Sequence, residues 1–252
     1  MTLLLLFGCY DFEGDEGRIG FVSDLQTTSG TKWTPESGIV GGTSPSFMAV
    51  IDLTVEDQEL GEVWGDADFE HSADEAYWLK VEGPQRGRGE VFFDGALSDG
   101  FELRFRPADE VVLSDLAEEQ LDDFAMVQGG EAALKVEVRD RWSRPLGYRA
   151  EDLVVEADGG LSAWMEDGYL RVIADGPGGL RVEVGQAEYF ADIRLGEVHE
   201  ERIVRLAEDD ESAFLLHRAW TADGTALFGA PAKWPEGAVE QAPGVATLVT
   251  TP

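Results

Sequence analysis

A two-residue alternation of apolar and polar side chains runs through residues 129–195 and constrains the fold more than any other feature of the sequence. In residues 131–140, three aliphatic residues alternate with Lys135, Glu137 and Arg139. A period of two is typical of strands that have one face in a core and the other in water. The rhythm returns in four further sets, which are Leu153, Val155 and Ala157; Leu170, Val172 and Ala174; Leu180, Val182 and Val184; and Tyr189, Ala191 and Ile193.

Turn-forming residues separate these alternating runs. The separators are Asp158-Gly159-Gly160, Glu166-Asp167-Gly168 and a Gly-Pro-Gly-Gly sequence at residues 176–179. Gly, Asp and Pro favour turns because they accept or impose backbone angles that strands do not use. Several short strands joined by such turns predict an antiparallel β-sandwich. Residues 115–124 carry capping residues for one or two helical turns, which we expect as a loop decoration.

The same plan recurs along the chain. Gly41-Gly42 precedes a strand-like run from Ser46 to Val55, and Gly129-Gly130 precedes Glu131–Asp140, 88 residues later. Glycine-rich turns at residues 87–89 and 176–178 introduce later strands at a similar spacing. A third, shorter copy starts near Gly196. Two landmarks in register predict an internal repeat.

These glycine pairs, glycine-rich turns and Val-rich strands together resemble bacterial immunoglobulin-like repeat domains of the invasin and intimin type. The resemblance implies an all-β fold of tandem immunoglobulin-like antiparallel β-sandwich domains with very little helix. It places an N-terminal tether at residues 1–17, two sandwiches at 18–107 and 108–195, and a short or incomplete third one at 196–252. It also implies a surface protein that spaces or displays a binding module and carries no catalytic residues.

The charge of the chain excludes some classes of partner. The sequence has 51 acidic against 19 basic residues, a formal net charge of −32, and only four of the basic residues are lysines. Such a surface repels phosphate backbones, so nucleic-acid binding is not expected. It also disfavours direct docking to anionic lipid heads. An acidic surface suits either a salty medium or the binding of divalent cations.

A single cysteine stands near the start of the chain. Leu6-Phe7-Gly8-Cys9 resembles the lipobox of bacterial lipoproteins, in which the peptide is cut before a cysteine that receives a lipid. The acidic residues 11–17 resemble the polar tether that follows. No basic residue precedes the apolar run, which is also short for a signal peptide, so the alternatives are a start upstream of Met1 or an accidental match. The sequence predicts lipidation of Cys9 and a bacterial cell-envelope location, with membrane contact only through that anchor. No stretch of the sequence approaches the roughly 20 apolar residues of a membrane span.

No catalytic constellation is apparent. His199 begins a sequence like that of a zinc-protease helix, but Ile203 occupies the position of the second ligand. A hydrolase would require carboxylates around His71, His199 or His217. We therefore predict a protein without enzymatic activity.

Two ligand sites are candidates. Trp33, Trp64 and Trp234 lie in loop-like contexts, where exposed rings would stack on sugars; the alternative is that these rings pack in a core or against a loop. Trp142 and Trp220 each follow the first strand of a repeat, which favours a shared structural role. Glu208, Asp209, Asp210 and Glu211 form an acidic run just past a repeat junction, where calcium would stiffen a rod; apart from calcium, we expect no cofactor.

The sequence thus predicts a non-enzymatic, lipid-anchored spacer or adhesin-like module with a protein or glycan ligand at the cell surface. The alternative is an accessory carbohydrate-binding module of a secreted system. In the third repeat, residues 245–249 are followed by only three residues, where the other copies continue into another strand. We expect a truncation, a smaller variant that covers its own edge, or self-association in which another chain donates the strand.

Overall fold

The computed structural model describes residues 11–15, 17, 19–50, 59–65, 68–72, 77–94, 99–208 and 212–249. Within these residues the regular structure consists of strands and one 3-10 helical turn at Ala150–Asp152. The predicted all-β, antiparallel β-sandwich class with very little helix is confirmed. In the described part of the chain, no helix has the length and apolar character needed to cross a membrane.

The strands follow one another along the chain with short connections. In order they are β1 (Phe12–Glu13), β2 (Gly20–Ser23), β3 (Gln26–Thr28), β4 (Thr31–Lys32), β5 (Gly38–Val40), β6 (Ser46–Val50), β7 (Glu59–Gly65), β8 (Asp68–Ser72), β9 (Tyr77–Glu82), β10 (Gly87–Asp94), β11 (Asp99–Arg106), β12 (Glu110–Ser114), β13 (Ala125–Met126), β14 (Gly130–Arg139), β15 (Pro145–Gly147), β16 (Val154–Ala157), β17 (Leu161–Glu166), β18 (Tyr169–Ala174), β19 (Gly178–Val184), β20 (Ala187–Leu195), β21 (Glu200–Glu208), β22 (Ser212–Trp220), β23 (Ala226–Phe228), β24 (Ala238–Ala242) and β25 (Val245–Val249).

The chain divides into two compact units, and neither is a single continuous segment. The first unit contains residues 1–110, 138–152 and 184–187, and the second contains residues 111–137, 153–183 and 188–252. The division into repeats at residues 107 and 195 remains a prediction.

Two sheets enclose the core of the first unit. One has the strand order β1-β2-β6-β9-β8, and the other runs β15-β5-β11-β10-β7. Most of these pairs are antiparallel, but β5 pairs in parallel with both β11 and β15. Because both sheets contribute side chains to one buried cluster, the unit is a β-sandwich. That cluster contains Phe12, Ile19, Phe21, Leu25, Trp33, Ile39, Phe47, Val81, Val91, Phe101, Leu103 and Phe105.

Aromatic rings dominate this core. Phe101 lies with its ring centroid 4.7 Å from that of Phe21 and 5.1 Å from that of Phe47, so the contacts run between the two sheets. Edge-to-face pairs at such distances add to the free energy gained by burying the rings. The chain has one cysteine in all, so apolar packing of this kind takes the place of an internal disulfide.

The second unit contains the alternating strands from which the fold was predicted. Strand β18 pairs with β14 on one side and β17 on the other, and a longer sheet has the order β16-β19-β20-β13-β23-β22-β25-β24, with β21 beside β22. Leu170, Val172 and Ala174 are fully buried, while the residues between them are less so. The same alternation holds in β19 and β20. The predicted period of two is therefore confirmed in its burial pattern.

Both glycine pairs that mark the repeats are required by local geometry. In the first pair, a side chain on Gly41 would place its Cβ 2.0 Å from the Gln85 carbonyl oxygen, and Gly42 has a positive φ of 89°. In the second pair, Gly129 has a φ of 73°. A positive φ is strained for residues that carry a Cβ, which explains why glycine introduces the strand in each copy.

Residues 115–124 form turns and not the helical turns that the capping pattern predicted. The Asp115 carboxylate accepts hydrogen bonds from the backbone N–H groups of Ala117 and Glu119, both at 2.9 Å. The capping residue is used, but Leu121 returns to donate its backbone N–H to the Leu113 carbonyl oxygen. This short loop closure ends the turn before a helix forms.

Candidate functional site: an arginine cleft

The predicted lipidation and calcium residues lie largely outside the described part of the chain. Cys9, Asp209, Asp210 and Glu211 fall outside it, and Glu208 ends β21. Among the residues that the structure describes, no group of three or more His, Cys, Asp or Glu side chains is arranged to hold a metal ion. Lipidation at Cys9 and calcium binding at residues 208–211 stay predictions.

The prediction that Trp33 presents an exposed ring is wrong. Its side chain is 0% exposed and its ring centroid lies 5.4 Å from that of Phe12 and 5.7 Å from that of Phe47. The indole Nε1–H donates a hydrogen bond to the Gly38 carbonyl oxygen at 3.1 Å. The surrounding loop folds back over the sandwich, so Trp33 completes the core of the first unit.

The other two predicted tryptophans are separated. Trp64 lies in β7, and its side chain falls outside what the structure describes. Trp234, in the second unit, is half-buried, with its ring centroid 6.2 Å from that of His217. Within the described residues the Trp234 Nε1 atom is buried without a hydrogen-bond partner.

His217 forms a side-chain hydrogen bond across two neighbouring strands. Its Nε2 atom lies 3.1 Å from a carboxylate oxygen of Glu201, and its side chain is almost fully buried. The hydrogen bond to His217 and the charge of Lys233 lower the pKa of Glu201. This arrangement pairs one imidazole with one ionised carboxylate, a structural contact between β21 and β22.

The first unit contains a different cluster, which we call the arginine cleft. A cleft of about 430 Å³ is lined by guanidinium groups on one side of the hairpin β10–β11 and on the turn after β14. Arg88 and Arg104 are cross-strand partners in the hairpin. Two residues along β11, Arg106 lies on the same face as Arg104, because side chains alternate along a strand. The lining arginines are Arg86, Arg88, Arg104, Arg106, Arg141 and Arg144, which are six of the 15 in the chain.

A buried carboxylate holds the turn in place. Asp140 is 3% exposed and accepts hydrogen bonds from the backbone N–H groups of Trp142 and Arg144, at 2.9 and 3.1 Å. The Arg144 guanidinium donates to the other carboxylate oxygen at 2.6 and 2.9 Å, and Arg106 Nη1 lies 3.4 Å from it. Burial opposes ionisation of Asp140, but the hydrogen bonds from Arg144 and Trp142 outweigh it and lower its pKa. This carboxylate therefore remains charged and joins the turn to the hairpin.

Trp142 stands on the exposed side of the same turn. Its side chain is 57% exposed. The guanidinium carbon of Arg141 lies 3.8 Å from the centroid of the indole ring, and that of Arg144 lies 4.6 Å from it. Such cation–π contacts stabilise both guanidinium groups near the aromatic ring. The prediction that Trp142 and Trp220 share a structural role is wrong, because Trp142 is exposed whereas Trp220 is half-buried at the end of β22.

Positive charge in the cleft exceeds its intramolecular compensation. Six arginines line it, against two lining carboxylates, Asp109 and Asp140. Glu102 pairs with Arg104 at 2.6 Å and with Arg88 at 3.4 Å. In the described part of the chain, no carboxylate lies within ion-pair distance of Arg86 or Arg141. Burial and the neighbouring Arg144 charge lower the pKa of Arg106, as expected where like charges crowd together.

The arginine cleft was not predicted from the sequence, although the sequence contains a pattern of arginines that points to it. Arg86-Gly-Arg88, Arg104-Phe-Arg106 and Arg141-Trp-Ser-Arg144 are three closely spaced arginine pairs in a chain that is otherwise strongly acidic. Only the hairpin and the Asp140 turn bring them together.

The second unit has a cavity of about 500 Å³ with a different character. Arg218 pairs there with Asp115 and lies 2.8 Å from Glu119, so its charge is compensated by two carboxylates. Breaking such a partly buried pair leaves an uncompensated charge, which makes this cluster a stabilising contact for the loop at residues 115–121.

Comparison of this chain with known proteins finds solved structures with low similarity to it. No protein-family model matches the sequence, and no curated protein matches it. Domains 4–9 of the surface layer protein SbsC are similar with a TM-score of 0.35 and 14% identity over 82% of this chain, which spans 38% of that structure. The Yersinia pseudotuberculosis adhesin InvE gives a TM-score of 0.29 and 10% identity, covering 80% of this chain and 68% of the other. The I9–I11 tandem of titin gives a TM-score of 0.25 and 9% identity, covering 84% and 85%. At these scores and identities the similarities transfer no function to this chain.

Proposed function

We propose that this chain is a non-enzymatic component of the bacterial cell envelope, in which immunoglobulin-like sandwiches form a lipid-anchored spacer or an adhesin-like binding module. The observation that carries the proposal is the first unit, whose twelve-residue apolar core closes two sheets around it. A sandwich that holds by packing keeps its shape outside the cell without a disulfide, which suits a display element. The net charge of −32 keeps such a surface soluble.

The lipid anchor is tested by fractionation. The full chain is expressed in a bacterium that processes lipoproteins, with Cys9→Ser as the variant and Cys9→Ala as its matched control. The wild-type chain is expected in the membrane fraction, and the Cys9→Ser and Cys9→Ala variants, which have no thiol to receive a lipid, are expected in the soluble fraction. Equal membrane association of the wild-type chain and both variants contradicts the anchor.

Self-association through residues 196–252 is part of the same proposal. In the structure, β25 pairs with β22 on one side and with β24 on the other. A donated strand would therefore add beside β24, the outer member of this sheet path. Sedimentation velocity of the full chain tests this: a concentration-dependent dimer that a proline in β24 abolishes would support strand donation, and a monomer at all concentrations contradicts it.

The alternative, an accessory carbohydrate-binding module, is favoured by one observation. Trp142 presents an exposed ring beside a cleft with charged donors, the combination found in ligand sites. Retention of the protein on immobilised polysaccharide, with the anchor absent, distinguishes this function from a spacer.

A further inference from the structure

We propose that the arginine cleft binds an acidic polysaccharide and recognises the carboxylates of its uronic acid residues. The inference depends on the first unit alone and holds whether or not the chain is lipid-anchored or acts as a spacer. It rests on three features of the cleft: the excess of positive charge, the arrangement of donors and the exposed indole ring.

The charge argument begins with composition. A chain with 51 acidic residues has many carboxylates with which to neutralise an arginine. In the second unit, Arg181 contacts Glu183 and Glu188, and Arg194 contacts Asp223. In the cleft, arginines are placed beside one another instead. Arg88 faces Arg104 across the hairpin, and one carboxylate, Glu102, is shared between these two guanidinium groups. A bound anion would supply the further negative charge that two cations beside one carboxylate still lack.

The donor arrangement fits carboxylates. Guanidinium groups present planar, paired N–H donors that match the two oxygens of a carboxylate. Arg106 and Arg144 are fixed through Asp140, whereas Arg86 and Arg141 are exposed and have no carboxylate partner among the described residues. Arg106 and Arg144 are held by Asp140, and Arg86 and Arg141 are left to contact a ligand.

The indole ring favours a sugar over other anions. Trp142 stands at the cleft with more than half of its surface exposed, and pyranose rings pack their C–H faces against aromatic rings. A sugar would take the place of the exposed Arg141 guanidinium over the indole and free that group for a carboxylate. A cleft of about 430 Å³ has room for one or two sugar rings. A uronate chain offers, in each repeat, one carboxylate and one apolar face, which are the two contacts that the cleft provides.

Two other anionic partners fit less well. Duplex DNA carries one charge per about 1.7 Å, and those charges would extend far beyond the cleft over an acidic surface. A second copy of this chain brings its own net charge of −32, which repels it at low ionic strength. Beyond a screening length of about 10 Å at 0.1 M salt, the acidic remainder of the protein has little effect on a ligand held in the cleft.

The test is the binding of polygalacturonate to the full chain, measured by isothermal titration calorimetry. The double variant Arg86→Gln/Arg141→Gln removes the two exposed donors, and Arg181→Gln is the matched control on the second unit. Dextran serves as the neutral polymer. Because Arg86 and Arg141 have no ion-pair partner in the described part of the chain, their substitution leaves the fold unchanged, which circular dichroism checks.

The expected result is binding of polygalacturonate but not of dextran, weakened at least about tenfold in the double variant and unchanged in Arg181→Gln, since losing one charge-assisted contact costs about one decade in affinity. Trp142→Ala is expected to weaken binding as well. Failure of the wild-type chain to bind polygalacturonate, equal binding of dextran, or unchanged affinity in the double variant would overturn the proposal. If the wild-type chain self-associates and the double variant does not, the cleft binds a second copy of the chain, and the proposal of a polysaccharide ligand is overturned.

Discussion

Replacement of Trp33 by alanine tests the core of the first unit, where sequence and structure disagree most. The ring is fully buried between Phe12 and Phe47, and its N–H group is used by the Gly38 carbonyl oxygen. Removing a buried aromatic side chain costs about 3–5 kcal/mol because a cavity remains. The unpaired carbonyl group adds about 1 kcal/mol. A loss of at least 3 kcal/mol is large against the 5–15 kcal/mol that typically stabilises a domain.

The measurement must separate the two units, because a chain with two units need not unfold in one step. Hydrogen exchange followed by mass spectrometry does this through peptides of β11 and β18, which lie in different units. In Trp33→Ala, the exchange protection of β11 is expected to fall by a factor of at least about 100, the equivalent of 3 kcal/mol. Trp33→Phe keeps most of the ring and is expected to lose about half as much free energy.

The control is Trp142→Ala, which removes an exposed ring from the same unit. Its expected effect is below about 0.5 kcal/mol. The reasoning is refuted if Trp33→Ala protects β11 as well as the wild-type chain does, or if Trp142→Ala loses as much protection as Trp33→Ala. The first outcome would mean that Trp33 does not lie in the core, and the second that burial does not decide the cost of removing a tryptophan from this unit.

Four further substitutions test other contacts. The pKa of Asp140 is lower in the folded protein, so the contribution of this carboxylate to the free energy of unfolding is fully present above pH 3.8 and is lost as the pH falls through the lower folded pKa. Asp140→Asn should remove this acid dependence from urea unfolding curves. An unchanged dependence of stability on pH in the variant would contradict the prediction. Burial and the nearby charges of Asp123 and Asp122 raise the pKa of Tyr189 above its ordinary value of 10.0, so the stability of the folded protein should fall as the pH rises above 10. Tyr189→Phe should abolish that fall. If the absorbance of the Tyr189 phenolate appears at the ordinary pKa, Tyr189 is not buried in this way. Gly41→Ala places a Cβ against the Gln85 backbone and should destabilise the first unit by about 1–3 kcal/mol. In Gly42→Ala the new Cβ meets the end of the flexible Gln85 side chain, and the positive φ alone should cost about 1 kcal/mol. If calorimetry shows Gly42→Ala to be the more destabilising of the two, the contact with the Gln85 backbone is unimportant.

The strands could be predicted because each depends on a local pattern. The apolar residues at 170, 172 and 174 are buried as the alternation requires, and β14 ends within one residue of its predicted bounds. A period of two is imposed by the backbone itself, so it survives whatever the strand packs against.

The position of Trp33 could not be predicted in this way. Residues 24–38 are polar and rich in Ser and Thr, which is typical of a loop, but composition does not say whether a loop crosses the solvent or closes over the core. The choice is made by residues distant in sequence, such as Phe101, which lies in the same cluster.

The arginine cleft depends on a contact of the same long-range kind. Arg106 and Asp140 are 34 residues apart, and their ion pair forms only because β11 and the turn after β14 belong to one unit. The sequence shows three arginine pairs, but the distance between them is a property of the fold.

The parallel pairing of β5 on both sides has a consequence for the order in which the protein is made. Ile39 pairs with Phe105 and Gly147, so the strand cannot acquire its second neighbour until more than a hundred further residues have been added. At a synthesis rate of about 5–20 residues per second, that delay is on the order of ten seconds. During this interval the nascent first unit exposes an unpaired strand edge, and a chaperone or the ribosome surface must protect it from wrong partners. Ribosome-bound chains stalled after residue 110 should therefore bind holdase chaperones more strongly than chains stalled after residue 187.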